Sequence, residues 1–149
     1  MHALTSRIAA GGDVAALLPM MEEFNRLEGI PWDAKQKEGA LRKLLGDSSL
    51  GLACLLDGPS GVVGYFVLTW GFDLEWDGRD AFLTEFFLVE EERGKKLGGP
   101  ALAHAEALSR EQGARALHLM VAYDNLPAQR LYARHGFTSP PRLFLTKAF

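Results

Sequence analysis

Hydrophobic positions change their period several times along this chain, and each change marks an element. In VAALLPMMEEFNRLE, residues 14–28, Leu17, Met20, Met21 and Phe24 recur at the spacing of one helix face. Asp13 stands before it as a cap, and Pro19 predicts a kink or interruption, because proline has no N–H to give the helix. AKQKEGALRKLLGD, residues 34–47, repeats the helical period with Leu41, Leu44 and Leu45 on one side, Asp33 as N-cap and Gly46 as its stop. The pattern then shifts to short apolar runs. GLACLLD (51–57) and GVVGYFVLTWG (61–71), joined by turn residues, predict a hairpin; the polar loop FDLEWDGRD (72–80) leads to a third strand, AFLTEFFLV (81–89).

LTSRIA (4–9) reads as a short first strand, PALAHAEALSREQG (100–113) as a helix and GARALHLMVA (113–122) as a buried strand. NLPAQRLYARHG (125–136) is a helix closed by Gly136, and RLFLTKAF (142–149) a last strand. This order predicts an α/β sandwich of the α+β kind: a mixed, mostly antiparallel central sheet flanked by helices on both faces. It lacks the regular alternation of a doubly wound nucleotide fold.

Composition narrows the class. With 149 residues, 48% of them hydrophobic, the chain suits a single domain over 1–149 with one core. A net charge of −3 argues against a nucleic-acid partner, which requires clustered Lys and Arg. The lone cysteine, Cys54, excludes an internal disulfide and suits a reducing compartment. No apolar run has the length of a membrane span, so the expectation is a soluble cytoplasmic protein with no membrane partner.

Candidate chemistry begins at RGKKLGG, residues 93–99, where a strand gives way to a helix. Backbone N–H groups at a helix start have no intrahelical partner and lie at the positive end of the helix dipole, so the place suits an anion. Gly98 and Gly99 allow close approach, Pro100 fits a first turn, and Arg93, Lys95 and Lys96 add charge. Neither the P-loop spacing nor the G-x-G-x-x-G fingerprint occurs there. Taken alone, the stretch is equally a turn with solvated charges. Further on, Asn125, Ala128 and Tyr132 fall on one helical stripe while Leu131 turns toward the core. His104, His118 and His135 show no metal-ligand spacing, and no metal site is expected.

Together, RGKKLG and NLPAQRLYARHGF resemble the signatures of the Gcn5-related N-acetyltransferase (GNAT) family: Arg/Gln-x-x-Gly-x-Gly/Ala after the fourth strand, then Asn-x-x-Ala-x-x-Leu-Tyr and Gly-Phe. Arg93, Gly94, Leu97 and Gly98 carry the first; Asn125, Ala128, Leu131, Tyr132, Gly136 and Phe137 carry the second. The chain departs from the first at Lys96, where the family usually has a glycine. The resemblance implies acetyl-CoA as cosubstrate. Its pyrophosphate would rest on the amides of Arg93, Gly94, Lys95, Lys96, Leu97, Gly98 and Gly99. Its pantetheine arm would pair with the strand near Phe87, Leu88 and Val89, where the family sheet splays at a bulge, and Asn125 and Ala128 would line the other wall.

By the same resemblance Tyr132 would protonate the departing thiolate after direct attack by an amine. Glu85 is the first candidate base and Asp80 the second; polyamine-acetylating members have an acid where this chain has Thr84. Asp73, Glu75, Asp77, Asp80 and Glu85, interleaved with Trp70, Phe72 and Trp76, together with Glu22 and Glu23, suit a small cationic amine such as a polyamine or aminosugar. The alternatives are a CoA-binding regulatory module without turnover and a peptide or protein N-acetyltransferase. The resemblance also allows a homodimer, with the tail strand as candidate contact.

Overall fold

The computed structural model describes residues 3–149. Among them the order is β1 (Thr5–Ile8), α1 (Val14–Glu28), α2 (Ala34–Leu45), β2 (Gly51–Gly58), β3 (Gly61–Asp73), β4 (Gly78–Leu88), α3 (Gly98–Glu111), β5 (Leu117–Leu119) and α4 (Leu126–Arg134). The sheet runs β1-β2-β3-β4-β5, antiparallel except for the β4–β5 pair. The expected α+β sandwich is therefore present.

Alternation along the central strands divides the core into two layers. Ala53, Leu55, Tyr65, Val67 and Phe87 pack under α1 and α2 against Leu17, Met20, Met21 and Leu41. Cys54, Leu56, Phe66, Leu68 and Leu83 face Ala101, Leu102 and Ala105 of α3, with Leu131 and Tyr132 of α4 beside them. Cys54 is buried, and burial pushes its thiol up to about 12, so it stays a protonated packing group at neutral pH. No helix among the described residues is long and apolar enough to cross a membrane.

Several expectations need correction. Asp13 precedes α1 but makes no side-chain bond to the helix; its carboxylate accepts from the Ala10 N–H at 2.9 Å and from Arg7 at 3.0 Å, closing the turn before the helix instead. α1 is not interrupted at Pro19: its buried face, Leu17, Met20 and Met21, holds the helix together across the missing hydrogen bond. Asp33 does cap α2, accepting from the Gln36 N–H at 3.0 Å. The loop expected over 72–80 is mostly strand, because the β3–β4 ladder continues outward through Gly71–Asp80, Phe72–Arg79 and Asp73–Gly78. Only residues 74–77 turn.

The strand expected over 113–122 pairs for just three positions, Ala81–Leu117, Phe82–His118 and Leu83–Leu119, after which β5 and β4 part. The tail 142–149 is not a strand: no ladder receives it, and Leu143, Phe144, Leu145 and Phe149 lie exposed. Alternating apolar residues record a capacity to pair, and pairing requires an edge within reach.

Candidate active site

The site begins with one extra residue in β4. Val67 faces Glu85 while Leu68 faces Leu83, so Thr84 bulges out of the ladder, its Oγ1 at 3.4 Å from the Val67 carbonyl. Parallel pairing to β5 ends one residue earlier, and a wedge of about 220 Å³ opens there. Leu83, Thr84 and Phe86 form one wall; Leu119, Met120, Val121 and Ala122 form the other. Phe24, Glu28 and Ile30 close it from the α1 side, Asn125 and Tyr132 from α4. The bulge thus lies at Thr84, upstream of the Phe87–Val89 segment where it was expected.

Beyond the bulge the β4 edge has no strand partner among the described residues. Val89 N–H donates to the Val63 carbonyl at 2.8 Å, and antiparallel alternation then turns the backbone groups of Phe86 and Leu88 toward the open side. Phe87 does the opposite: its backbone faces β3 and its ring packs 5.8 Å from Tyr65 in the core. Val89 packs between both core layers.

After β4 a short 3-10 turn, Glu90–Glu92, precedes the glycine stretch. Gly94 (φ 80°) and Lys96 (φ 60°) both adopt left-handed backbone conformations, unusual for a lysine. Leu97 caps α3 by position, and the first helical bond runs from the Ala101 N–H to the Leu97 carbonyl at 3.0 Å. The Gly98 and Gly99 N–H groups precede that bond, at the positive end of the helix.

The side chains of this turn are placed differently from the sequence expectation. Arg93 folds back, its Nε donating to the Leu88 carbonyl at 2.8 Å and its guanidinium over the Phe87 ring at 5.2 Å, so it braces the end of β4. Lys95 lies 3.4 Å from Glu92. Lys96 makes no ion pair among the described residues. Gly98 and Gly99 serve packing: a β-carbon on them would meet Leu131 Cδ2 at 3.0 Å and His135 Nε2 at 3.2 Å, so these glycines let α3 lie close to α4.

Across the wedge Asn125 caps α4, accepting from the Ala128 N–H at 3.2 Å, and Gln129 ties the preceding loop through the Ala122 and Tyr123 carbonyls. Asn125 and Tyr132 line the wedge; Ala128, half-buried, does not. Tyr132 is half-buried, edge-on to Phe137 at 5.7 Å. Burial raises its pKa above the ordinary phenol value and the charge of Glu28 adds to that, so the hydroxyl keeps its proton at neutral pH. Glu28 is the acid that sequence reasoning passed over: it is the last residue of α1, just before Gly29, where a helix-period pattern gives no hint of a cleft. Glu22 and Glu23 do not line the wedge, and Glu23 pairs with Arg26 at 2.8 Å.

The two candidate bases lie apart. Glu85 accepts from the Tyr65 hydroxyl at 2.7 Å and lines no cleft; burial raises its pKa, opposed by that hydrogen bond and by Lys37. Asp80 is 5% exposed and its Oδ2 lies 3.0 Å from His118 Nε2. It borders a second cavity, a groove of about 760 Å³ shared with Asp73, Glu75, Trp76 and Phe82. Trp70 is structural: its Nε1 donates to the Ser48 carbonyl at 2.9 Å. His104, bonded to the Leu4 carbonyl at 2.9 Å, is a structural histidine as expected, whereas His118 has the acidic partner that its sequence neighbours do not reveal.

A family model described as acetyltransferase (GNAT) family matches residues 17–137. Among solved structures, an integron cassette protein from the mobile metagenome of Cole Harbour Salt Marsh is 34% identical, with a TM-score of 0.84 over 96% of this chain and 89% of that one. A presumed acetyltransferase of Arthrobacter sp. FB24 is 26% identical, with a TM-score of 0.81 over 97% of this chain and 96% of that one. A probable acetyltransferase at 20% identity shares the fold, with a TM-score of 0.85 over 97% of this chain and 99% of that one. No curated protein matches by sequence.

Proposed function

We propose, from the premise that this chain belongs to the GNAT acetyltransferase family, that it transfers the acetyl group of acetyl-CoA to a primary amine of a small cationic molecule. The observation that carries the reading is the wedge. Phe86 of the β4 edge and the protonated Tyr132 line that opening, the glycine turn follows β4 in the chain, and each would suit a different part of an acyl-CoA.

The amides of residues 94–99 would hold the pyrophosphate, with Lys96 as the added cation. Phe86, with both outward backbone groups, and Leu88, with its N–H, since Arg93 already holds its carbonyl, would pair with the pantetheine amides as an edge strand does with an added peptide. Bound acetyl-CoA supplies an activated carbonyl and a thiolate leaving group. Tyr132, whose raised pKa keeps its hydroxyl protonated, would give that proton to sulfur. The amine must shed a proton before it attacks, and of the two β4 carboxylates Asp80, which borders the groove, is the better proposed route for it, directly or through a group it holds; Glu85, bonded to Tyr65 and lining no cleft, would serve only through water. Acids and aromatic rings on the neighbouring groove, among them Asp73, Trp76 and Phe82, support a cationic acceptor.

Lys96 in a left-handed conformation and Thr84 in place of an acid support the second reading, a CoA-binding module without turnover. One assay separates the two. With acetyl-CoA and a panel of polyamines, aminoglycosides, amino acids and short peptides, the enzyme reading expects free thiol to appear with at least one amine. Binding of acetyl-CoA without thiol release from any member supports the module.

A further inference from the structure

We infer that His118 is the proton acceptor for the incoming amine and that Asp80 is its positioning residue, which makes the groove beside them the acceptor subsite. The inference rests on the acetyl-transfer reading above and names the acceptor side of the same site.

Register is the first argument. Phe82 and His118 are paired one position before Leu83 and Leu119, the last pair before the strands part. His118 therefore sits beside the apex of the wedge. Successive strand residues point to opposite faces, so it lies on the face opposite Leu83 and Leu119.

The imidazole is also built in. Asp80 is 5% exposed, and its Oδ2 meets His118 Nε2 at 3.0 Å. Its other oxygen, Oδ1, is buried without a hydrogen-bond partner among the described residues and lies where a β-carbon on Gly71 would approach to 2.5 Å, so the glycine leaves the carboxylate its room. An ionised carboxylate only accepts, so Nε2 carries the proton and Nδ1 keeps its lone pair. Phe82 at 4.8 Å and Trp76 at 6.1 Å flank the ring, and the His118 side chain remains 30% exposed, open to the groove. Glu85, by contrast, spends an oxygen on Tyr65 and lines neither cavity.

Those rings suit an alkylammonium, whose charge favours an aromatic face. Charged groups reach the groove from each surrounding element. Asp73 ends β3 and Glu75 belongs to the turn after it, held by Arg142 of the tail at 2.8 Å. Glu106 and Arg110 belong to α3, Arg115 precedes β5 and His135 ends α4. The proton on the ammonium nitrogen passes to His118 Nδ1. His118 passes that proton to solvent, the N–C bond forms as the C–S bond breaks, and sulfur takes the Tyr132 proton; the second proton of the acylated nitrogen then leaves through the freed His118 Nδ1 to solvent, and solvent returns one proton to the Tyr132 phenolate.

The test is the pH profile of kcat/KM for the fastest amine of the panel, with acetyl-CoA affinity measured in parallel. Wild type is expected to show an ascending acidic limb. His118→Gln removes that limb and lowers the rate about 10²- to 10⁴-fold, with acetyl-CoA affinity unchanged. Asp80→Asn, whose amide no longer fixes the proton on Nε2, lowers kcat while leaving the KM for the amine and the acetyl-CoA affinity unchanged, a split that a merely structural loss would not give. A His118→Gln enzyme with wild-type rate and limb overturns the proposal while acetyl transfer stands; wild type inert toward every amine defeats the acetyl-transfer reading itself, and this proposal with it. If His118→Gln does not fold, nitrogen-15 histidine NMR of the wild type decides: a proton on Nε2 and a bare Nδ1 is expected, and the opposite tautomer overturns the assignment.

Discussion

The Tyr65 hydroxyl donates a 2.7 Å hydrogen bond to Glu85 Oε1 across adjacent strands, under the α1–α2 layer of the core. That bond favours the ionised carboxylate but does not offset its burial, and the pKa of Glu85 remains raised. A group whose folded pKa exceeds its unfolded value binds its proton more tightly in the folded state, so stability falls as pH rises through that interval. Glu85→Gln is therefore expected to raise the melting temperature at pH 7, with the gain shrinking as pH drops into the ordinary carboxylate range. Thermal melts at both pH values check this; an equal or lower Tm at pH 7 contradicts it.

Tyr132→Phe keeps the ring against Phe137 and removes only the hydroxyl. The expected outcome is a kcat lower by about 10²- to 10⁴-fold with acetyl-CoA affinity unchanged, read by thiol release and calorimetry. Glu28→Gln removes a charge that raises the Tyr132 pKa, so the alkaline limb of the wild-type rate profile should move to lower pH.

Lys96 has a φ of 60°, a conformation that costs a residue with a β-carbon roughly 1–2 kcal/mol. Part of that returns in Lys96→Gly, offset by the added freedom of the unfolded chain. The expected result is a stability equal to or above wild type by up to about 1 kcal/mol, with weaker acetyl-CoA binding at low salt and a smaller salt dependence. Denaturant melts and calorimetry at two ionic strengths read both effects.

Gly64 lies opposite Leu88, and a β-carbon there would collide with the Phe87 carbonyl. Backbone cannot yield as a side chain does. Gly64→Ala is expected to cost more than about 2 kcal/mol and to weaken acetyl-CoA binding, since it displaces the β4 segment that forms the wedge. Wild-type stability in this variant would contradict the close approach of the two strands.

Local pattern revealed the elements but not their pairings. The helical spacing of Leu17, Met20 and Met21, the cap at Asp33 and the two glycine-marked signatures were legible because their causes lie within a few residues. The bulge at Thr84, the three-residue length of β5 and the unpaired tail were not, because each depends on how far β4 and β5 remain together. The same holds in the site. Tyr132 could be named from its helix, while Glu28, the packing role of Gly98 and Gly99, and the His118–Asp80 contact arise only when separate elements meet. Arg93 shows the limit from the other side: its charge is visible in the sequence, but its hydrogen bond to Leu88 turns it back onto β4.

The central claim is that the wedge between β4 and β5, with the turn at residues 94–99, holds an acyl-CoA. Isothermal titration calorimetry of the folded wild-type protein with acetyl-CoA tests it most directly. The account predicts saturable binding of one acetyl-CoA per chain that weakens in Gly64→Ala and persists in Tyr132→Phe. No detectable heat of binding, with folding verified in the same sample, would contradict it.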